Sequence, residues 1–106
     1  MLFMVTERFR DNDMVPVYRR LRDSGRSLPE GLDYVDSWVE PGFGRCFQLM
    51  CCDDLQLIQE WVLQWRGLGV TFEIVPVLPS TETRDVVAPY LDAPAGEQRN
   101  LGEMRS

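Results

Sequence analysis

The chain opens on a run in which both alternate sets are apolar. Leu2 and Met4 fall on one side, Phe3 and Val5 on the other, before Thr6, Glu7 and Arg8 turn it polar. Over residues 2–9 this suits a central strand with both faces covered near its start. The cluster Asp11-Asn12-Asp13 follows, with Asp13 placed to cap a helix. Met14, Val17, Tyr18 and Leu21 then recur at i, i+3, i+4 and i+7, one helical face. Pro16 is tolerated in the first turn, Arg19, Arg20 and Arg22 lie largely off the apolar face as a solvated set, and Gly25 ends the helix.

Pro29-Glu30-Gly31 is turn chemistry. From Leu32 to Glu40 the pattern alternates, with Tyr34, Asp36 and Trp38 on one side and Val35, Ser37 and Val39 on the other. Pro41-Gly42 predicts a type II turn in which Gly42 supplies the positive φ. A third strand follows over Arg45–Cys51, with Cys46, Gln48 and Met50 in one set and Phe47, Leu49 and Cys51 in the other. The two strands form a hairpin. Asp53 caps the next helix, with Gln56 at capping-box spacing. Its stripe is Leu55, Ile58, Val62 and Trp65, widened by Leu57 and Trp61, and Gly67 and Gly69 stop it. Residues 70–78 give a fourth strand, with Phe72 and Ile74 on one face and Thr71, Glu73 and Val75 on the other. Beyond Pro79 periodicity fades. The folded domain is placed at 1–79 and a flexible tail at 80–106, where Val86-Val87 and Tyr90-Leu91 form one sticky patch.

Strand, helix, strand, strand, helix, strand is the βαββαβ order of a ferredoxin-like α+β fold. Right-handed crossovers put both helices on one face of a four-stranded antiparallel sheet, in the order 4-1-3-2. The first and third strands are expected as central, parallel neighbours. The helix-covered face is expected to hold Leu2, Met4, Phe47, Leu49, Phe72 and Ile74 against Val17, Leu21, Ile58 and Val62. The open face then presents Phe3, Val5, Met50 and Val75, with Glu7, Tyr34, Trp38, Gln48 and Glu73 among them. Such a surface is too apolar to leave in water. Phe3, Val5, Met50 and Val75 are therefore the candidate dimer face, and a second copy of the chain is the expected cover. Glu7, Tyr34, Trp38, Gln48 and Glu73 are the candidate pocket. Glu7 and Glu73, on neighbouring strands, are expected to approach each other: either Arg45 or an arginine of the second chain neutralises them, or one stays protonated as a general acid and base, the alternative being that both lie at the wet rim and keep the dimer soluble.

Composition narrows the chemistry. The chain has 106 residues, a net charge of −6, no histidine, and arginine at all eleven basic positions. An acidic balance gives weak grounds for nucleic-acid or anionic-membrane binding, and no apolar run approaches the length of a membrane span. Without lysine there is no Schiff-base chemistry, and without histidine the usual general base near pH 7 is missing. No metal-ligand cluster and no cofactor motif is present. Cys46, Cys51 and Cys52 are an odd, clustered set, expected as reduced thiols in a cytoplasmic protein. Met1–Val5 lacks the basic flank and cleavage site of a signal peptide.

Gly42-Phe43-Gly44-Arg45-Cys46-Phe47 resembles part of the third-strand motif of RNA-recognition domains. The basic position is Pro41, however, and two aromatic positions are Arg45 and Gln48, so a hairpin turn explains the glycines better. Trp61 and Trp65, four apart on a helix, are expected as core and its rim. Cys46 is expected as a small hydrophobe.

A broader likeness runs through Met1-Leu2-Phe3-Met4-Val5-Thr6-Glu7-Arg8-Phe9, Pro29-Glu30-Gly31-Leu32, Ser37-Trp38-Val39 and Arg45-Cys46-Phe47-Gln48-Leu49-Met50. It continues through Asp53-Asp54, Trp61 with Trp65, and Phe72-Glu73-Ile74-Val75-Pro76-Val77. Together these resemble a small bacterial family, domain of unknown function 3303, over about residues 1–78. The family often carries an acidic residue where this chain has Cys51. The resemblance implies a ferredoxin-like dimer of the α-β barrel kind with no established activity. Similar-looking barrels include haem-degrading and cofactor-free oxygenases; haem use in them typically involves a histidine, which this chain lacks.

The leading functional expectation is a homodimeric binding module for a small apolar or aromatic ligand held between facing sheets. The alternative is a cofactor-independent enzyme, an isomerase or oxygenase on an aromatic or quinone-like compound, using carboxylates and tyrosine. A purely structural or protein-interaction role is the third.

Overall fold

The computed structural model describes residues 1–92. Its elements are β1 (Leu2–Phe9), a 3-10 turn (Arg10–Asn12), α1 (Val15–Ser24), β2 (Asp33–Val39), β3 (Arg45–Cys51), α2 (Leu55–Gln64), β4 (Val70–Val77) and α3 (Ser80–Leu91). The four strands form one antiparallel sheet in the order β2-β3-β1-β4. This is the ferredoxin-like α+β arrangement. β1 and β3 are central but antiparallel, not parallel. Each crossover returns the chain parallel to the strand it left, two positions away, and an antiparallel strand fills the gap between them.

Local chemistry explains the element ends. Asp13 accepts a hydrogen bond from the Val15 N–H at 3.0 Å, so it satisfies the start of α1. Gly25, at φ 69°, ends that helix with its N–H on the Leu21 carbonyl. The cap of α2 is Asp54 rather than Asp53: its carboxylate accepts from the Gln56 N–H at 2.9 Å. Asp53 points instead toward the chain's first amino group, 3.5 Å away. In the β2–β3 hairpin the left-handed residue is Phe43, φ 62°, and not Gly42. Gly44 allows a close approach, because a Cβ there would meet Asn12 Oδ1 at 3.1 Å and the Asn12 side chain would have to give way.

Which sheet face the helices cover differs from expectation on the central strands. Phe3, Val5, Glu7 and Phe9 of β1 are buried, as are Cys46, Gln48 and Met50 of β3. They pack with Val17 of α1, Ile58 and Trp61 of α2, and Trp65 beyond it. Phe72 and Ile74 do lie on this face, and Phe72 meets the Trp61 ring edge-on at 5.3 Å. Leu2, Met4, Phe47 and Leu49 face the other way. Val5 sits opposite Ile74 and Glu7 opposite Phe72, and directly paired residues share a face. The set Phe3, Val5, Phe9, Cys46 and Met50 reaches the far end of β1, where Phe9 meets the Tyr18 ring with centroids 6.4 Å apart, whereas the other set ends at the paired Arg8 and Arg45. Burying the first set takes Glu7 and Gln48 inside as well.

Beyond Pro79, where periodicity fades, Ser80–Leu91 forms helix α3. The remainder of the expected tail, residues 93–106, lies outside the described residues.

Candidate functional site

Under the helices, the central strands bring together a polar cluster. Cys46 sits opposite Glu7, and Gln48 opposite both Val5 and Ser37. A bulge between Tyr34 and Asp36 shifts the β2 register, so Tyr34 pairs with Met50 on the helix side while Asp36 pairs with Leu49 on the open side. Glu7 and Gln48 are 5% and 8% exposed, so each must find its partner inside the protein. They find each other: Gln48 Nε2 donates to Glu7 Oε1. At the margin the Tyr34 hydroxyl and Ser37 Oγ lie 2.6 Å apart. The Arg26 guanidinium stacks 3.5 Å from the Tyr34 ring centre, and its carbonyl accepts from the Trp61 indole N–H at 3.2 Å.

This setting controls protonation. Burial pushes the Glu7 carboxyl up from 4.5 to about 7, and Arg26 opposes the shift without cancelling it. Burial pushes the Cys46 thiol up to about 11, with the nearby Glu7 adding to the effect and Arg26 opposing it. The Tyr18 phenol is also raised, by burial first and then by Cys46 and Glu7. The cluster therefore holds one exchangeable proton near neutrality without a histidine, while Cys46 is kept as an unreactive thiol. Among the described residues no group of three or more His, Cys, Asp or Glu side chains is placed to hold a metal ion.

The candidate pocket residues are thus divided. Glu7, Gln48 and Tyr34 meet on the covered side. Trp38 and Glu73 lie on the open side, on strands at opposite edges of the sheet, about 14 Å apart at three strand spacings. Glu73 pairs loosely with Arg8, at 3.9 Å, and does not approach Glu7. Of the candidate dimer face, Phe3, Val5 and Met50 are core; only Val75 is on the open side, 44% exposed. Arg26 and Ser37 were not singled out from sequence, since neither belongs to an apolar stripe. The signal for Glu7 was present: it is flanked at i−2 and i+2 by Val5 and Phe9.

The open face is built in rows across the sheet. Val75, Met4 and Leu49 make one, ending at Asp36. Glu73, Thr6, Phe47 and Trp38 make the next. Met4, Phe47 and Leu49 are only partly buried, and Trp38 is 51% exposed. Arg45 reaches over Phe47 and makes a bidentate pair with Glu40, at 2.5 and 3.0 Å, which holds the Glu40 carboxyl below its ordinary range. No helix among the described residues is long and apolar enough to cross a membrane.

No curated protein and no solved structure matches the chain. A family model does, the one described as domain of unknown function (DUF3303), over residues 1–91, from the start of the sheet to the last residue of α3. The chain belongs to that family.

Proposed function

We propose that this domain is a self-associating binding module: two copies pack open face to open face and enclose a small apolar or aromatic ligand. The observation that carries this is the uncovered row Val75–Met4–Leu49 beside Phe47 and Trp38. Contiguous apolar surface of this kind marks an interface or ligand site. Charge favours a second copy over a charged partner. The chain as a whole carries −6, yet the face mixes Arg8 and Arg45 with Glu73 and Asp36 around an apolar centre. A two-fold interface sets each patch against itself, so a balanced patch is what it needs. A stable pair would bury about 1,200–2,000 Å² in total.

Light scattering at tens of micromolar tests this: a dimer is expected, and Leu49→Arg should give a folded monomer. A monomeric parent with Trp38 in water overturns it. A thermal-shift screen of aromatic compounds then tests for the ligand.

Glu7 favours a second reading, cofactor-independent acid–base catalysis. A carboxyl that titrates at about 7 is matched to proton transfer at neutral pH. Turnover of a compound that reaches the cluster on the helix side of the sheet, lost in Glu7→Gln with binding intact, would establish it.

A further inference from the structure

Helix α3 is a second apolar surface that the described residues leave uncovered. Thr83, Val86, Val87, Tyr90 and Leu91 recur at helical spacing and form one stripe, with Glu82, Arg84 and Asp85 off it. Val86 and Leu91 are each 66% exposed and Tyr90 is 44% exposed. None of the helix's residues is buried. Its attachment is at the first turn, where Thr83 lines a groove with Met1, Leu2, Val77 and Leu78.

A helix in this position is not self-sufficient. Twelve residues is the length at which even favourable isolated helices are marginal in water. Pro89 removes a further N–H from the last turns. The stripe therefore needs a surface to bury it, and the family match includes the helix to its last residue.

We propose that α3 docks on a second copy of this chain, each protomer's stripe completing the cover over its partner's open sheet face. This rests on the dimer proposed above and names the segment that closes it. The dimensions fit: 12 residues at 1.5 Å make about 18 Å, against about 14 Å across four strands. Charge fits as well. Glu82 and Asp85 outnumber Arg84 along the helix, and the open face offers Arg8, which is more than half exposed and only loosely held by Glu73. Symmetry supplies two such contacts for each dimer, so the helices would clamp the sheets from both sides.

The test uses the full chain. Val86→Glu with Leu91→Glu alters two side chains that are each 66% exposed among the described residues, so a monomer should tolerate the pair. Sedimentation from 1 to 100 μM (about the range in which moderate dimers dissociate) should show the parent as a dimer. The double variant should dissociate at least about tenfold more readily, with Trp38 fluorescence shifted to longer wavelength at equal concentration. Val86→Ile with Leu91→Met should restore the parent behaviour, which separates lost packing from general damage. An unchanged dissociation constant in the glutamate variant overturns the role of α3 and leaves the sheet-face dimer standing. A parent that stays monomeric at 100 μM overturns both.

Discussion

The two faces of this sheet are drawn from the same central strands and are almost equally apolar, yet one is the core and the other is open. On the covered side Val5 and Met50 are wholly buried, and a carboxyl and an amide are sealed in beside them. On the open side Met4 and Leu49, their neighbours along the strands, are only partly buried and Val75 is 44% exposed. The difference teaches that a polar residue does not by itself turn its face of a central strand outward. The covered set keeps an apolar residue, Phe9, at the end where the open set has the charged pair Arg8 and Arg45, and two polar groups that satisfy each other are carried inside with it.

Substitutions on the two faces break this comparison most sharply. Met50→Ala removes a fully buried side chain and should cost about 2–5 kcal/mol of stability in chemical denaturation. Leu49→Ala, one residue along, should cost less than half as much in a protomer held dilute enough to be monomeric. If the two losses are equal, both faces are packed within one chain and the open face is not open.

Glu7 gives the next largest effect, through pH. In the fold it keeps its proton to about pH 7, whereas the unfolded chain releases it near 4.5. Between those values folding takes up a proton, so stability is fully present below about 4.5, falls as pH rises, and levels off above about 7. Full conversion of the shift would be of the order of 3 kcal/mol. The groups facing it are Gln48, Arg26, Cys46 and Tyr18. Glu7→Gln should flatten the fall and stabilise the protein at pH 8 by about 1–3 kcal/mol, read from thermal melts at pH 5 to 8.5. A parent as stable at pH 8 as at pH 5 would show that the carboxyl is ionised and accommodated.

Smaller effects sharpen the picture at the edges. Asp54→Ala should cost about 1 kcal/mol, and Asp53→Ala much less, because only Asp54 caps α2. Arg8→Gln should change the stability of a protomer by less than about 0.5 kcal/mol, its pair with Glu73 being long and exposed.

The sequence by itself determined the elements and their order. Helical spacing located Val17 and Leu21 on α1 and Ile58 and Val62 on α2, and Gly25 marked where α1 stops, whereas α2 ends at Gln64 with Trp65 as its cap, ahead of Gly67. Element order then led to the 4-1-3-2 sheet, because crossover handedness leaves few alternatives. Tertiary structure alone decided the faces. Both alternate sets of β1 and β3 are apolar, so alternation cannot rank them, and the bulge after Tyr34 moved Asp36 and Trp38 off the face that Tyr34 occupies. That single-residue slip divides Tyr34 from Trp38, and pairing across β1 and β4 divides Glu7 from Glu73. The helix at Ser80–Leu91 was also hidden, since Pro89 and a polar first half disguise a stripe that is legible only once the backbone places it. A strand's period of two states which residues travel together, but only packing against the helices states which way they point.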